Sequence, residues 1–219
     1  RYLIGLSATP YRSDGLNNLL DIYFSSKRIQ RNLHKRHTVW KVQTDFVPDI
    51  TFTRDGRLDW NQILNSQAEN EERNLLIIRL VETLHLRKIL ILTKRIQHAE
   101  NITNRLHQRG INVDYIYGTK KKWKEDARVL VGTSQKIGVG FDESSLDCLI
   151  LASDVEAYFI QYLGRVFRKP SIEPIIVDIV DNNSVLKKHW KTRQQVYVKH
   201  GGSIKSVTSK NVLKKMTDK

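Results

Sequence analysis

Short apolar runs that recur between helical stretches constrain this chain more than any other feature of its sequence. From Lys88 onward, Ile89 to Leu92 reads as a strand, Ile96 to Arg109 as a helix stopped by Gly110, and Val113 to Tyr117 as a second strand. That is a βαβ unit. Val129 to Val131, Cys148 to Leu151 and Ile175 to Ile179 supply three more apolar runs, and Val155 to Phe167 supplies a helical segment between the last two. These runs lack the alternation of a half-exposed strand, so each is expected to be buried on both sides. The expected fold class is α/β, a doubly wound parallel sheet with helices on both faces, over about residues 27–182, with right-handed crossovers.

The flanks read differently. Tyr2 to Leu6 looks like a buried strand ending in Ser7-Ala8-Thr9-Pro10, and Asp14 to Tyr23 is helical in pattern. Thr38 to Phe46 alternates as a strand does, Asp55-Gly56 marks a turn, and Leu75, Ile78, Val81 and Leu84 carry a helical period within Leu58 to Leu84. The chain opens on Arg1 inside an apolar run, which suggests a piece of something larger, with residues 1–26 set apart from the main domain. After Asp181 the core signal fades. Ser184 to Lys199 reads as a basic amphipathic helix, and residues 203–219 are expected to form a mobile, Lys-rich tail, so that 183–219 is an appendage.

Charge narrows the partners. Thirty-seven Lys and Arg against 23 Asp and Glu give +14, which favours a polyanion, nucleic acid first. No apolar run reaches the roughly 18–20 residues that cross a bilayer, and no leader opens the chain, so an intracellular, soluble protein without a membrane partner is expected. Cys148 is the one cysteine, which excludes an internal disulfide and a cysteine-rich zinc site, and its apolar neighbours predict a buried thiol.

Two segments carry chemistry. In Gln161-Tyr162-Leu163-Gly164-Arg165-Val166-Phe167-Arg168, two arginines three apart on one helical turn could clamp a single anionic group, or could equally be surface residues paired with carboxylates. Upstream, Val129 to Ser134 reads as a strand entering a loop, followed by Gly138-Val139-Gly140-Phe141-Asp142. There the glycines permit close approach of backbone to ligand, and Asp142 could accept from a ribose or from a neighbouring arginine. Parallel α/β folds bind ligands in such loops, beyond the carboxyl ends of their strands. The run Lys120-Lys121-Lys122 is either a solvated face or a phosphate contact.

With those residues in view, the chain resembles superfamily 2 helicases. Residues 161–168 are similar to their motif VI, Thr133 through Asp142 to motif V, Leu90 to Arg95 to motif IV, Tyr115 to Gly118 to the conserved loop that follows, and Ser7-Ala8-Thr9 to motif III. Gly5 to Arg12, Leu58-Asp59-Trp60, Arg73-Asn74 and the basic helix after Asp181 are most similar to XPB-like and UvsW-like members, including those of large cytoplasmic DNA viruses. The resemblance implies a RecA-like second motor lobe over 27–182, preceded by a remnant of the first lobe and a linker over 1–26. It implies ATP with Mg2+ as cofactor. Arg165 and Arg168 would be arginine fingers, with Gln161 beside them. Gly138, Gly140, Asp142 and Gly164 would lie against the nucleotide. Thr93, Lys94, Arg95, Gly118, Thr133 and Ser134 would hold strand phosphates, DNA ahead of RNA, and Ser7, Ala8 and Thr9 would couple hydrolysis to movement. The resemblance implies a role in transcription or repair, and a cytoplasmic replication site if the protein is viral.

The departures matter as much. No Gly-x-x-x-x-Gly-Lys-Ser/Thr loop occurs, and no Asp-Glu pair precedes Ser7, so the phosphate cradle and the magnesium carboxylates would come from the chain's own N-terminal lobe, and this piece alone is expected not to turn over ATP. Two other readings stay open: a nucleic-acid-binding module without an ATP cycle, and a nuclease, for which Asp178 with Asp181 would be the metal carboxylates.

Overall fold

The computed structural model describes residues 3–5, 15–27, 29, 33–138, 141–155 and 159–217. The chain divides into two units, Arg1–Leu33 and His34–Lys219. In the first, helix α1 (Asn17–Phe24) buries none of its residues, leaving Leu19, Ile22, Tyr23 and Phe24 exposed.

The second unit is built on a seven-stranded sheet in the order β3-β4-β2-β5-β6-β1-β7. The strands are β1 (His37–Gln43), β2 (Ile89–Thr93), β3 (Val113–Ile116), β4 (Val129–Thr133), β5 (Cys148–Leu151), β6 (Ile175–Val180) and β7 (Gly202–Thr208), and every pairing among them is parallel. The helices are α2 (Trp60–Glu69), α3 (Glu71–Thr83), α4 (Ile96–Gln108), α5 (Ser134–Gly138), α6 (Phe159–Val166), α7 (Ser184–Lys199) and α8 (Val212–Thr217). The path from β2 to β3 runs toward one edge, whereas that from β5 through β6 to β7 runs toward the other. Right-handed crossovers therefore place α4 and the α6–α7 pair on opposite faces. The first face buries Ile77, Val81, Ile89, Ile91, Ile102 and Leu106. On the other, Phe159 of α6 meets Tyr197 of α7 edge-on at 4.9 Å.

Local chemistry sets the helix ends. The Asp59 carboxylate accepts from the Asn61 amide (2.9 Å) at the start of α2, and the Asn70 side chain from the Arg73 amide (2.9 Å) at the start of α3. Glu71 and Glu72 then sit in the first turn of α3, where the helix dipole favours negative charge. Gly110, at φ +68°, closes the α4 segment in the left-handed region that a side chain disfavours.

The expected strands from Ile89 onward, the helix over Ser184 to Lys199 and the buried Cys148 are all present. Three expectations are corrected. Residues 202–208 are not a mobile tail but an edge strand paired with β1 from His37↔Gly202 to Gln43↔Thr208, and α8 follows it. The polar, Lys-bearing pattern there is what an exposed edge strand carries. Ser134 begins the short helix α5 rather than a loop, because Gly132 leaves room for Ile137 to fold back: a Cβ on Gly132 would lie 2.6 Å from Ile137 Cδ1. Finally, α6 ends at Val166, so Arg168 lies beyond the helix instead of on the same turn as Arg165. The motif III segment Ser7 to Thr9 lies outside the described residues.

Candidate nucleotide-facing and nucleic-acid-facing sites

Because all strands are parallel, their carboxyl ends share one edge, and the segments singled out in the sequence gather along it. Thr93 ends β2 and Thr133 ends β4, paired in register. β5 leads to Ala152–Val155 and then to α6, which carries Gln161, Gly164 and Arg165.

The two motif VI arginines converge on one loop without sharing a ligand. Arg165 donates from Nη2 to the Gly138 carbonyl (3.2 Å) and from Nη1 to the Phe141 carbonyl, with its guanidinium 5.9 Å above the Phe141 ring. Its Nε is buried without a partner, and burial lowers the pKa of the group, because removal from water disfavours the charged form. Arg168 pairs with Asp142, whose carboxylate is largely exposed. It is set in place from both sides: Lys35 Nζ donates to the carbonyls of Phe167 (3.4 Å) and Lys169, and the Phe167 ring lies 4.7 Å from that of His37. Gln161 and Gly164 are half-buried on α6, and Gly140 lies outside the described residues. The contact that Asp142 makes here is with an arginine, Arg168.

The strand-facing candidates divide by exposure. Lys94 and Gly118 are exposed, and Gly118 holds φ +59° with open space around it. Arg95 donates to Asn61 Oδ1 (2.6 Å) and keeps a buried, unpartnered Nε. Thr93 is fully buried and its hydroxyl donates to the Arg95 carbonyl (3.2 Å), so it shapes the turn after β2 rather than presenting a hydroxyl outward. Thr133 is buried at the end of β4, and the Ser134 carbonyl accepts from Tyr162 (3.0 Å).

Sequence reasoning missed the clamp on residues 152–155, which joins these two groups. Arg73 donates to the Ala152 carbonyl, and Lys94 N donates to Ser153 Oγ (3.2 Å). His98 lies between Asn74 Oδ1 (2.9 Å) and Ser153 Oγ (3.4 Å), and burial holds its pKa down to about 3. Arg193 binds Asp154 (2.7 Å), the Val155 carbonyl (2.9 Å) and Asp178, while His189, stacked on Trp60, binds Asp154 from the other side (2.6 Å). One signal was available: Trp190, Arg193 and Tyr197 fall on a single face of α7, and an arginine on an apolar face asks for a buried carboxylate.

Asp178 and Asp181 serve that internal chemistry. Asp178 takes Arg193 Nε (2.8 Å), Nη2 (2.9 Å) and the Tyr197 hydroxyl (2.7 Å), and Asp181 takes Arg73 (3.1 Å), Gln67 (2.6 Å) and Thr44 (2.7 Å). Among the described residues no three His, Cys, Asp or Glu are grouped as a metal site, and no helix is long and apolar enough to cross a membrane.

No protein-family profile matches the chain. It is 42% identical, over 94% of its length and 51% of the relative's, to the protein named "Putative helicase 161L" of Invertebrate iridescent virus 6. The chain spans about half the length of the curated relatives it matches. Among solved structures, T4 UvsW matches with a TM-score of 0.57 at 16% identity, over 80% of this chain and 42% of UvsW. The C-terminal domain of the DEAD-box protein Dbp5 matches with a TM-score of 0.58 at 11% identity, over 83% of this chain and 98% of that domain. The chain is therefore similar to about half of each of two viral proteins named as helicases, and its seven-stranded parallel sheet has the RecA-like fold of superfamily 2 helicase domains.

Proposed function

We propose that this lobe is one half of an ATP-dependent helicase or translocase, contributing Arg165 and Arg168 to the nucleotide cleft and a phosphate-binding edge to one strand of nucleic acid, DNA ahead of RNA. The observation that carries the reading is the convergence of both arginines on Gly138–Asp142, with Arg165 Nε buried and unpartnered. The half-buried Arg165 guanidinium, whose hydrogen bonds among the described residues go to neutral carbonyls, retains affinity for an anion, which supports a fit to a polyphosphate. ATP with Mg2+ would supply the transferable phosphoryl group and its charge. Arg165 and Arg168 would stabilise charge on that group, Gln161 would orient polar atoms beside it, and Gly138, Gly140, Asp142 and Gly164 would lie along the nucleotide. Along the strand, Lys94, Arg95 and the amides near Gly118, Thr133 and Ser134 would take successive phosphates without reading bases, and +14 supports a polyanionic partner.

The relatives are about twice as long, and the apolar side chains of α1 are uncovered in its own unit, which supports assigning residues 1–26 to a first lobe, with Ser7, Ala8 and Thr9 as its coupling segment. The phosphate cradle and magnesium carboxylates would come from that lobe, and this lobe alone should show no turnover above background.

The test is steady-state ATP hydrolysis, with and without nucleic acid, in a chain carrying both lobes. Arg165→Lys and Arg168→Lys keep charge but lose the planar fork. Arginine fingers are worth roughly 10³–10⁵ in turnover, so either change should lower turnover strongly while strand affinity holds. Thr133→Ala should weaken strand stimulation and spare basal hydrolysis. If Arg168→Lys keeps near-normal turnover and loses strand binding, motif VI serves the nucleic acid, and the lobe is a binding module instead.

A further inference from the structure

β3 and β4 are parallel neighbours, yet residues 117–128 connect them without a helix or strand. This connection is pinned at two points. Asp114, buried in β3, accepts from Lys120 Nζ and from the Lys124 amide (2.7 Å). Trp123 donates from Nε1 to Glu143 (3.0 Å) and packs its ring 5.0 Å from that of Phe141. Of the lysines here, Lys120 is committed to Asp114 and to the Tyr115 ring, 3.9 Å away. Lys121, Lys122 and Lys124 are exposed, and among the described residues none of them forms an ion pair. Pinning the loop on both sides fixes their spacing before any ligand arrives, which lowers the ordering cost that flexible lysines otherwise bring to binding.

The loop leaves the sheet's carboxyl edge at Gly118, one strand from Thr133. Its anchor is also the floor of the arginine site: Trp123 rests on Phe141, and Arg165 lies over the same Phe141 ring and binds the Phe141 carbonyl. Close-packed aromatic contacts transmit small displacements, because the ring cannot shift without moving its neighbour.

We propose that Lys121, Lys122 and Lys124 form a second contact for the phosphate backbone of a bound strand, and that Trp123, as a positioning residue, passes occupancy of that contact to Arg165 through Phe141. The proposal rests on the strand-dependent motor reading above. It differs from the edge contacts in place, since the lysines lie on the crossover, and in consequence, since they act on the arginine through Trp123 and Phe141.

The experiment uses this chain and a single-stranded oligonucleotide, following affinity against salt, the ¹⁹F signals of 5-fluorotryptophan, and the Arg165 Nε–H signal. Trp123→Phe and Arg165→Lys assign the two resonances. On binding, both should shift. Lys121→Ala/Lys122→Ala/Lys124→Ala should take about 2 off the slope of log affinity against log salt, since each single-strand phosphate contact contributes roughly 0.7. That is roughly a 16-fold smaller change in affinity between about 50 and 200 mM salt. The Trp123 shift should vanish in this variant. Trp123→Ala should keep the slope and lose the Arg165 response, while Trp123→Phe should retain it, separating positioning from a folding defect. An unchanged slope in the lysine variant, with binding intact in the parent, overturns the loop contact alone. An Arg165 response that survives Trp123→Ala overturns the relay. No salt-dependent binding by the parent overturns the strand reading and this proposal with it.

Discussion

His98 should make the lobe lose stability in mild acid, well before the carboxylates titrate. Its ring is fixed as one neutral tautomer by its neighbours. Asn74 Nδ2 donates to the Ala68 carbonyl (2.8 Å), so Asn74 Oδ1 is left as the acceptor for His98 Nε2–H at 2.9 Å. Nδ1 then faces Ser153 Oγ as an acceptor. A second proton would place a charge in a buried site, with the Arg73 cation nearby, and these two causes, burial first, hold the folded pKa down to about 3 against an ordinary 6.5. The folded pKa lies below the unfolded one, so between them the unfolded chain takes up a proton that the folded chain refuses. Stability is therefore intact above about pH 6.5 and falls as pH drops, by about 1.4 kcal/mol per unit for one proton. From about pH 6.5 to 5 the loss from this residue should approach roughly 2 kcal/mol. The assay is the urea midpoint at a series of pH values for the parent and His98→Gln, whose amide can still donate to Asn74. Subtracting the two curves removes every other titration. Parallel curves would show that His98 takes up its proton without unfolding, and the buried-neutral assignment would be wrong.

Other outcomes follow from the same packing. Arg73→Met strands Asp181 in the interior and should cost about 3–5 kcal/mol by denaturant titration, whereas Arg73→Met/Asp181→Leu should cost less than that single change, because no unpaired charge remains. Asp154, held below its ordinary 3.8 mainly by His189 and Arg193 against the opposing effect of burial, adds stability that is complete above about pH 4 and is lost as pH falls through its lower folded value. The melting temperature of Asp154→Asn should accordingly vary less than that of the parent between about pH 4 and 2. Gly132→Ala should destabilise by about 1–3 kcal/mol and be partly rescued by Ile137→Val, read from thermal melts. Truncation after Gly201 removes β7 and uncovers β1, so the shortened chain should melt lower and aggregate, the reverse of what a mobile tail would predict.

The sequence by itself determined the sheet and the motif-bearing loops. Runs such as Ile89–Thr93 and Cys148–Leu151 contain no polar face to turn outward, so they had to be buried on both sides, and a parallel arrangement then placed Thr93, Thr133 and the root of α6 along one edge. What the sequence did not contain were pairings set by distance along the chain. Arg193 and His98 read as ordinary helix residues and Arg73 only as part of a family-like pair, because the groups that justify their burial, Asp181, Asp178 with Asp154, and Ser153 with Asn74, lie between 15 and 108 residues away. β7 was misread for a related reason: an edge strand has one solvated side, and only its hydrogen bonds to β1 distinguish Gly202–Thr208 from a polar tail. The clamp at 152–155 was decided the same way, since desolvating an arginine is tolerable only where the folded chain supplies its carboxylate, and that meeting exists in three dimensions alone.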